Sequence, residues 1–125
     1  MRYFKTIVFV FAVLLGMGLA TDAFANKAAV TIEAPGSAAV GSEVTIKITV
    51  THSANNFMHY TNWVYVMVNG KEVERLEYSW NKKPSDAIFT REIKYKVAGP
   101  LEIKAEANCN IHGSKGPAVA QVKMQ

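Results

Sequence analysis

Three histidines and one cysteine are the residues of this chain whose types and spacing could do chemistry together. His52 and His59 flank a short loop, Ser53 to Met58, and His112 follows the cysteine by three residues in Cys109-Asn110-Ile111-His112-Gly113. Singly, each feature is ordinary. A lone histidine in a β domain is usually a satisfied polar residue, and a lone cysteine a small buried hydrophobe. Together, one thiolate and three imidazoles make a complete metal ligand set with no spare copy of either type. Structural zinc fits this set by ligand type. A type I copper site would add an axial methionine, for which Met58 and Met124 are available. Copper loops, however, keep cysteine, histidine and methionine close together, and the nearest downstream methionine here is Met124. A Cys/His nucleophile pair is a further reading, but three clustered histidines exceed what it needs.

The elements that must position these residues read as strands joined by short turns. Val30-Thr31-Ile32 leads into the turn Ala34-Pro35-Gly36. Glu43 to Thr51 alternates apolar Val44, Ile46, Ile48 and Val50 with polar residues, the period of a half-buried strand. Trp63 to Val68 is almost continuously apolar, as expected of a strand in the middle of a sandwich. Asn69-Gly70 marks a tight hairpin, with the return strand over Lys71 to Tyr78. Ala87 to Val97, Leu101 to Ala107 and Ala118 to Met124 complete the set. Seven strands with regularly spaced turns predict an all-β, antiparallel, immunoglobulin-like β-sandwich. Cys109 and His112 then fall where a strand gives way to a loop, and the histidine pair falls between two strands.

The chain has 125 residues, room for one small domain. Its first 25 residues read as a secretory leader. Arg2 and Lys5 precede an uncharged apolar run, Thr6 to Ala20, and Ala23-Phe24-Ala25 has the form of a signal-peptidase site. The run is short for a membrane span of about 20 residues, and no cysteine is present there for lipid attachment. Cleavage after Ala25 is expected, leaving residues 26–125 as a periplasmic or secreted domain without a membrane anchor. A free thiolate nucleophile would be at risk in such an oxidising compartment. One cysteine also excludes an intramolecular disulfide. The net charge of +4 comes from scattered residues, with no basic cluster of the kind that tracks nucleic acid.

Two segments carry a resemblance. Cys109-Asn110-Ile111-His112-Gly113 resembles the C-N-x-H-G motif of superoxide reductases, the iron domain shared by desulfoferrodoxin and neelaredoxin. His52 to Trp63, HSANNFMHYTNW, is similar to their H-P-N-x-x-x-H-x-I-x-W motif, with His59 and Trp63 at the family spacing and the first histidine one residue further away. Lys27 to Pro35 resembles the family strand K-H-V-P-V-I-E-A-P. The resemblance implies a β-sandwich holding one mononuclear iron, bound by four equatorial histidines and an axial cysteine thiolate with the sixth position open. By position, Cys109 is the axial ligand and His52, His59 and His112 are equatorial. Lys27 matches the lysine that attracts superoxide and helps supply a proton. The implied activity is reduction of superoxide to hydrogen peroxide. No four-cysteine rubredoxin-like domain is present, so an external electron-donor protein is implied, and a homodimer is in keeping with the family.

The departures are as informative. The remaining equatorial histidine of the family falls at Ala28, which cannot ligate, and the family glutamate falls at Asn26. The set is therefore three histidines, leaving the fourth position to water or to the α-amino group that cleavage would expose at Asn26. One imidazole fewer weakens iron retention and favours four-coordinate zinc or copper. The alternative function is a non-enzymatic metal-binding or metal-carrier protein retaining a three-histidine, one-cysteine site.

Overall fold

Val44, Ile46, Ile48 and Val50 are all buried, and the residues between them are not. That alternation, repeated along the chain, builds the molecule. The structure is a computed structural model that describes residues 26–125, so the expected secretory leader, residues 1–25, lies outside the described residues. Eight strands occur among the described residues: β1 (Ala29–Glu33), β2 (Ser37–Ala38), β3 (Glu43–Thr51), β4 (Thr61–Val68), β5 (Lys71–Glu77), β6 (Ile88–Lys96), β7 (Leu101–Cys109) and β8 (Ala118–Met124). They form a three-stranded sheet in the order β1-β3-β6 and a five-stranded sheet in the order β2-β8-β7-β4-β5. No helix among the described residues is long and apolar enough to cross a membrane.

The all-β class is as the alternation predicts, and each of the seven expected strands is present. The eighth, β2, has two residues and pairs in parallel with β8, beside otherwise antiparallel neighbours. Two residues are too few to display a period.

Between the sheets lie Ile46 and Ile48 from one side and Val64, Val66 and Ile103 from the other, each no more than 2% exposed. Burying a side chain of this size stabilises the fold by about 1.5–3 kcal/mol. At the open side, Arg91 of β6 pairs with Glu74 of β5 at 2.9 Å, linking one sheet to the other. Asn69 and Gly70 both have positive φ, 51° and 80°. This is the primed turn that the dipeptide predicts.

β4 lies between β7 and β5, the interior position that its apolar run predicts, but only one of its faces is fully buried. Val64, Val66 and Val68 face the core, but Trp63, Tyr65 and Met67 lie half-buried on the outer face. There Trp63 and Tyr65 stack at 5.6 Å, and the Tyr65 hydroxyl donates to Glu106 at 2.9 Å. Aromatic stacking, rather than a second buried face, accounts for these large residues.

The topology gathers one end of the sandwich. β3 ends at Thr51, just before His52, and β1 begins just after Ala28 in the same register, Ala29 opposite Thr51. β7 ends at Cys109, opposite Thr61 at the start of β4. A parallel bridge between Ala28 and Ser114 ties the two sheets together there.

Candidate metal centre

Cys109 reaches the centre because β7 buries every second residue. Ala105, Ala107 and Cys109 all point inward, and Cys109 is 1% exposed. Beyond it the chain closes a tight loop. The Cys109 amide donates to the Gly113 carbonyl at 2.9 Å, and the Gly113 amide donates back at 3.0 Å. Gly113 has φ of +83°, a conformation that glycine adopts without steric cost. This loop folds His112 back over the cysteine: its amide lies 3.4 Å from Sγ and its Nδ1 3.8 Å from Sγ.

His52 continues β3 and is 2% exposed. A bulge at the head of β4 sets its surroundings. Trp63 pairs with Asn108, but the next pair is Thr61 with Cys109, so Asn62 is skipped. The bulge brings the fully buried Thr61 to face inward, with its hydroxyl 3.1 Å from His52 Nδ1. Asn55 Oδ1 lies at the same 3.1 Å from that nitrogen. The orientation of Asn55 is fixed, because its Nδ2 donates to the Asp86 carbonyl at 2.8 Å and its Oδ1 accepts from the Thr61 amide at 2.7 Å. An acceptor oxygen facing Nδ1 assigns the ring proton to Nδ1 and leaves Nε2 with its lone pair free.

That lone pair faces the other donors. His52 Nε2 is 3.1 Å from His59 Nε2, and His59 Nε2 is 3.2 Å from His112 Nδ1. The three rings meet edge to face, with interplanar angles of 81° and 84°. His52, His59 and Cys109 each offer one donor atom, all within 4.8 Å of one another, and His112 joins them through His59 and Cys109. The loop that carries His59 is held to the cysteine loop by Asn110. Its Oδ1 accepts from the Tyr60 amide at 2.9 Å, and its Nδ2 donates to the Met58 carbonyl at 3.1 Å.

The donor set fits a metal. Two nitrogens bound at about 2.0–2.1 Å to one ion stand about 2.9–3.4 Å apart for bond angles from square to tetrahedral. The separations of 3.1 and 3.2 Å fall within that range. Burial lowers the pKa of His59, His52 adds to the effect, a backbone contact from Asn26 opposes it, and His112 contributes further lowering. The result favours the neutral, metal-binding form of the ring.

Of the sequence-predicted residues, His52, His59 and Cys109 form one compact donor group, and His112 lies outside it, in contact with His59 and Cys109. Lys27 is half-buried and lies between two residues of the same end. The carbonyl of Asn26 is 3.1 Å from His52 Nε2, and the amide of Ala28 donates to Gly113 at 3.2 Å. Ala28 is fully buried, on the same strand face as Val30 and one register step beyond the Ala29–Thr51 pair, on the level of His52. Thr61, Asn55 and the Asn26 carbonyl were not legible as site components. The H-x-x-N spacing of His52 and Asn55 is a faint signal, but the bulge that turns Thr61 inward leaves no mark in the sequence.

Comparison with known proteins agrees with this fold. The sequence model of the desulfoferrodoxin family matches residues 20–114. No curated protein sequence matches the chain. A superoxide reductase (neelaredoxin) variant from Ignicoccus hospitalis superposes with a TM-score of 0.65 at 20% identity, covering 81% of this chain and 83% of that one. The reduced superoxide reductase (neelaredoxin) of Archaeoglobus fulgidus gives 0.52 at 18% identity, covering 76% and 89%. The sulfur carrier protein SoxY from Chlorobium limicola f thiosulfatophilum gives 0.55 at 15% identity, covering 77% and 78%. A sulfur carrier sharing the sandwich makes plain that the fold alone does not select a chemistry.

Proposed function

This chain belongs to the desulfoferrodoxin family, and from that premise we propose that it is a one-iron, superoxide reductase-like protein of the periplasm. The observation that supports the reading is the grouping of Cys109 Sγ with nitrogens of His52 and His59 at one end of the sandwich, with His112 against His59 and Cys109. A ferrous ion held by Cys109, His52, His59 and His112 would supply the one electron that, with two protons, takes superoxide to hydrogen peroxide, and an external donor protein would return that electron.

The chain's own residues have separable tasks. Thr61 and Asn55 hold the His52 tautomer that presents Nε2. The His112 amide lies against Sγ at 3.4 Å, where it stabilises a thiolate. The Cys109–Gly113 loop fixes the distance between thiolate and imidazole. Lys27 places a cation on the segment beside the site, where it draws in the superoxide anion and helps deliver a proton.

Ala28 in place of a histidine favours a second reading, a zinc or copper carrier that does not turn over. The separating experiment is the metal content and visible spectrum of protein taken from its native compartment. Iron with a thiolate charge-transfer band after oxidation supports the reductase. A colourless zinc protein supports the carrier.

A further inference from the structure

The missing imidazole at Ala28 raises the question of what stands in its place. Ala28 itself is fully buried and its main chain is engaged on both sides, donating to Gly113 at 3.2 Å and accepting from Lys115 at 2.9 Å. Two residues earlier, the Asn26 carbonyl oxygen lies 3.1 Å from His52 Nε2. That spacing equals the His52–His59 separation of 3.1 Å and nearly equals the His59–His112 separation of 3.2 Å.

The contact has an unusual sign. A carbonyl oxygen can only accept, and His52 Nε2 is proton-free in the neutral ring because Asn55 Oδ1 and Thr61 Oγ1 both face Nδ1. In that tautomer two lone pairs face each other, an approach that a metal cation between them, or a proton added to the ring, makes favourable. The segment is tethered in this position, since Ser53 Oγ donates to Asn26 Oδ1 at 2.8 Å.

We infer that the main-chain carbonyl oxygen of Asn26 is itself a ligand of the metal, completing with His52, His59 and His112 the set that Ala28 leaves one short. The inference rests on the reading of those histidines and Cys109 as ligands. A carbonyl is a neutral donor, as imidazole is, so the exchange leaves the thiolate as the one anionic ligand. It is a harder donor than imidazole.

The test uses the chain from Asn26 onward, labelled with 13C at asparagine carbonyls and loaded with Co(II). A carbonyl carbon bonded through oxygen to Co(II) shifts far outside the carbonyl envelope in the 13C spectrum. Asn26→Gly keeps the main-chain carbonyl but removes its label, so the inference expects the displaced resonance to vanish while cobalt stays bound. Asn26→Gln does the same and retains a side-chain amide for Ser53. A spectrum with no displaced carbonyl, or one whose displaced line survives both substitutions, overturns the inference. The thiolate-to-cobalt absorption band, and its loss in Cys109→Ser, reports separately on the ligand reading. A missing carbonyl shift with that band intact overturns the Asn26 ligand alone. Absence of the band overturns the reading on which it rests.

Discussion

Thr61 and Cys109 face each other across a β-bulge, and the threonine hydroxyl lies 3.1 Å from the Nδ1 of His52. The bulge thus couples the register of β4 to the tautomer of a histidine. Thr61→Val keeps the shape and removes the hydroxyl. The expected result is a loss of about 1 kcal/mol in stability and a 10–100-fold loss of metal affinity, on the order typical for partners that orient a ligand. Denaturant melts of the metal-free protein and competitive metal titration measure the two effects separately.

Gly113 sits at φ of +83° between His112 and the backbone bridge to Cys109. Gly113→Ala meets only one atom, Asn108 Oδ1, at 3.9 Å, so its cost is conformational rather than a clash. A destabilisation of about 1–2 kcal/mol is expected, together with weaker metal binding as His112 loses its fixed approach to the thiolate. Unchanged affinity in this variant would show that the loop does not set the His112 position.

The pKa of His59 is lowered by burial first and by its neighbour His52 second. The unfolded chain therefore takes up the proton before the folded one does. Stability of the metal-free domain is complete above the ordinary histidine value of 6.5 and declines as pH falls from there toward the lowered folded value. His59→Gln should flatten that decline in thermal melts recorded between neutral and mildly acidic pH. Metal uptake near neutrality should release few protons from this ring.

Ala28→His separates the metal-free from the loaded state. An imidazole added at a fully buried position overpacks the metal-free core, at a cost of about 1–3 kcal/mol. One register step beyond the Ala29–Thr51 pair, it stands beside His52. The metal-free variant should melt below the wild type, and the ferrous-loaded variant above it. Melting below the wild type in both states would mean that position 28 does not address the centre.

Processing offers an independent check. Cleavage after Ala25 is a proposal from the leader pattern, and it places Asn26 first in the exported protein. Intact-mass measurement of protein recovered from the periplasm should give a chain of residues 26–125.

The alternation of Val44, Ile46, Ile48 and Val50 made β3 legible to the residue, because a half-buried strand must show period two. The Asn69-Gly70 turn was equally legible, since its backbone demands positive φ. The apolar run of β4 made its interior position legible, but not that Trp63, Tyr65 and Met67 sit on an outer face, because apolar side chains there look the same in a sequence as buried ones. The four candidate metal donors could be read from scarcity and motif. Their supports could not. Asn55 and Thr61 act through a bulge, and Asn26 acts through a main-chain atom that every residue possesses.

The central claim is that this site reduces superoxide rather than dismutating it or storing metal. The direct measurement mixes ferrous-loaded protein anaerobically with a known amount of superoxide and counts the peroxide formed and the ferrous centres oxidised. Reduction predicts one peroxide and one oxidised centre for each superoxide consumed, with the yield abolished in Cys109→Ser. Half a peroxide per superoxide with no net oxidation, or no consumption above buffer, would contradict it.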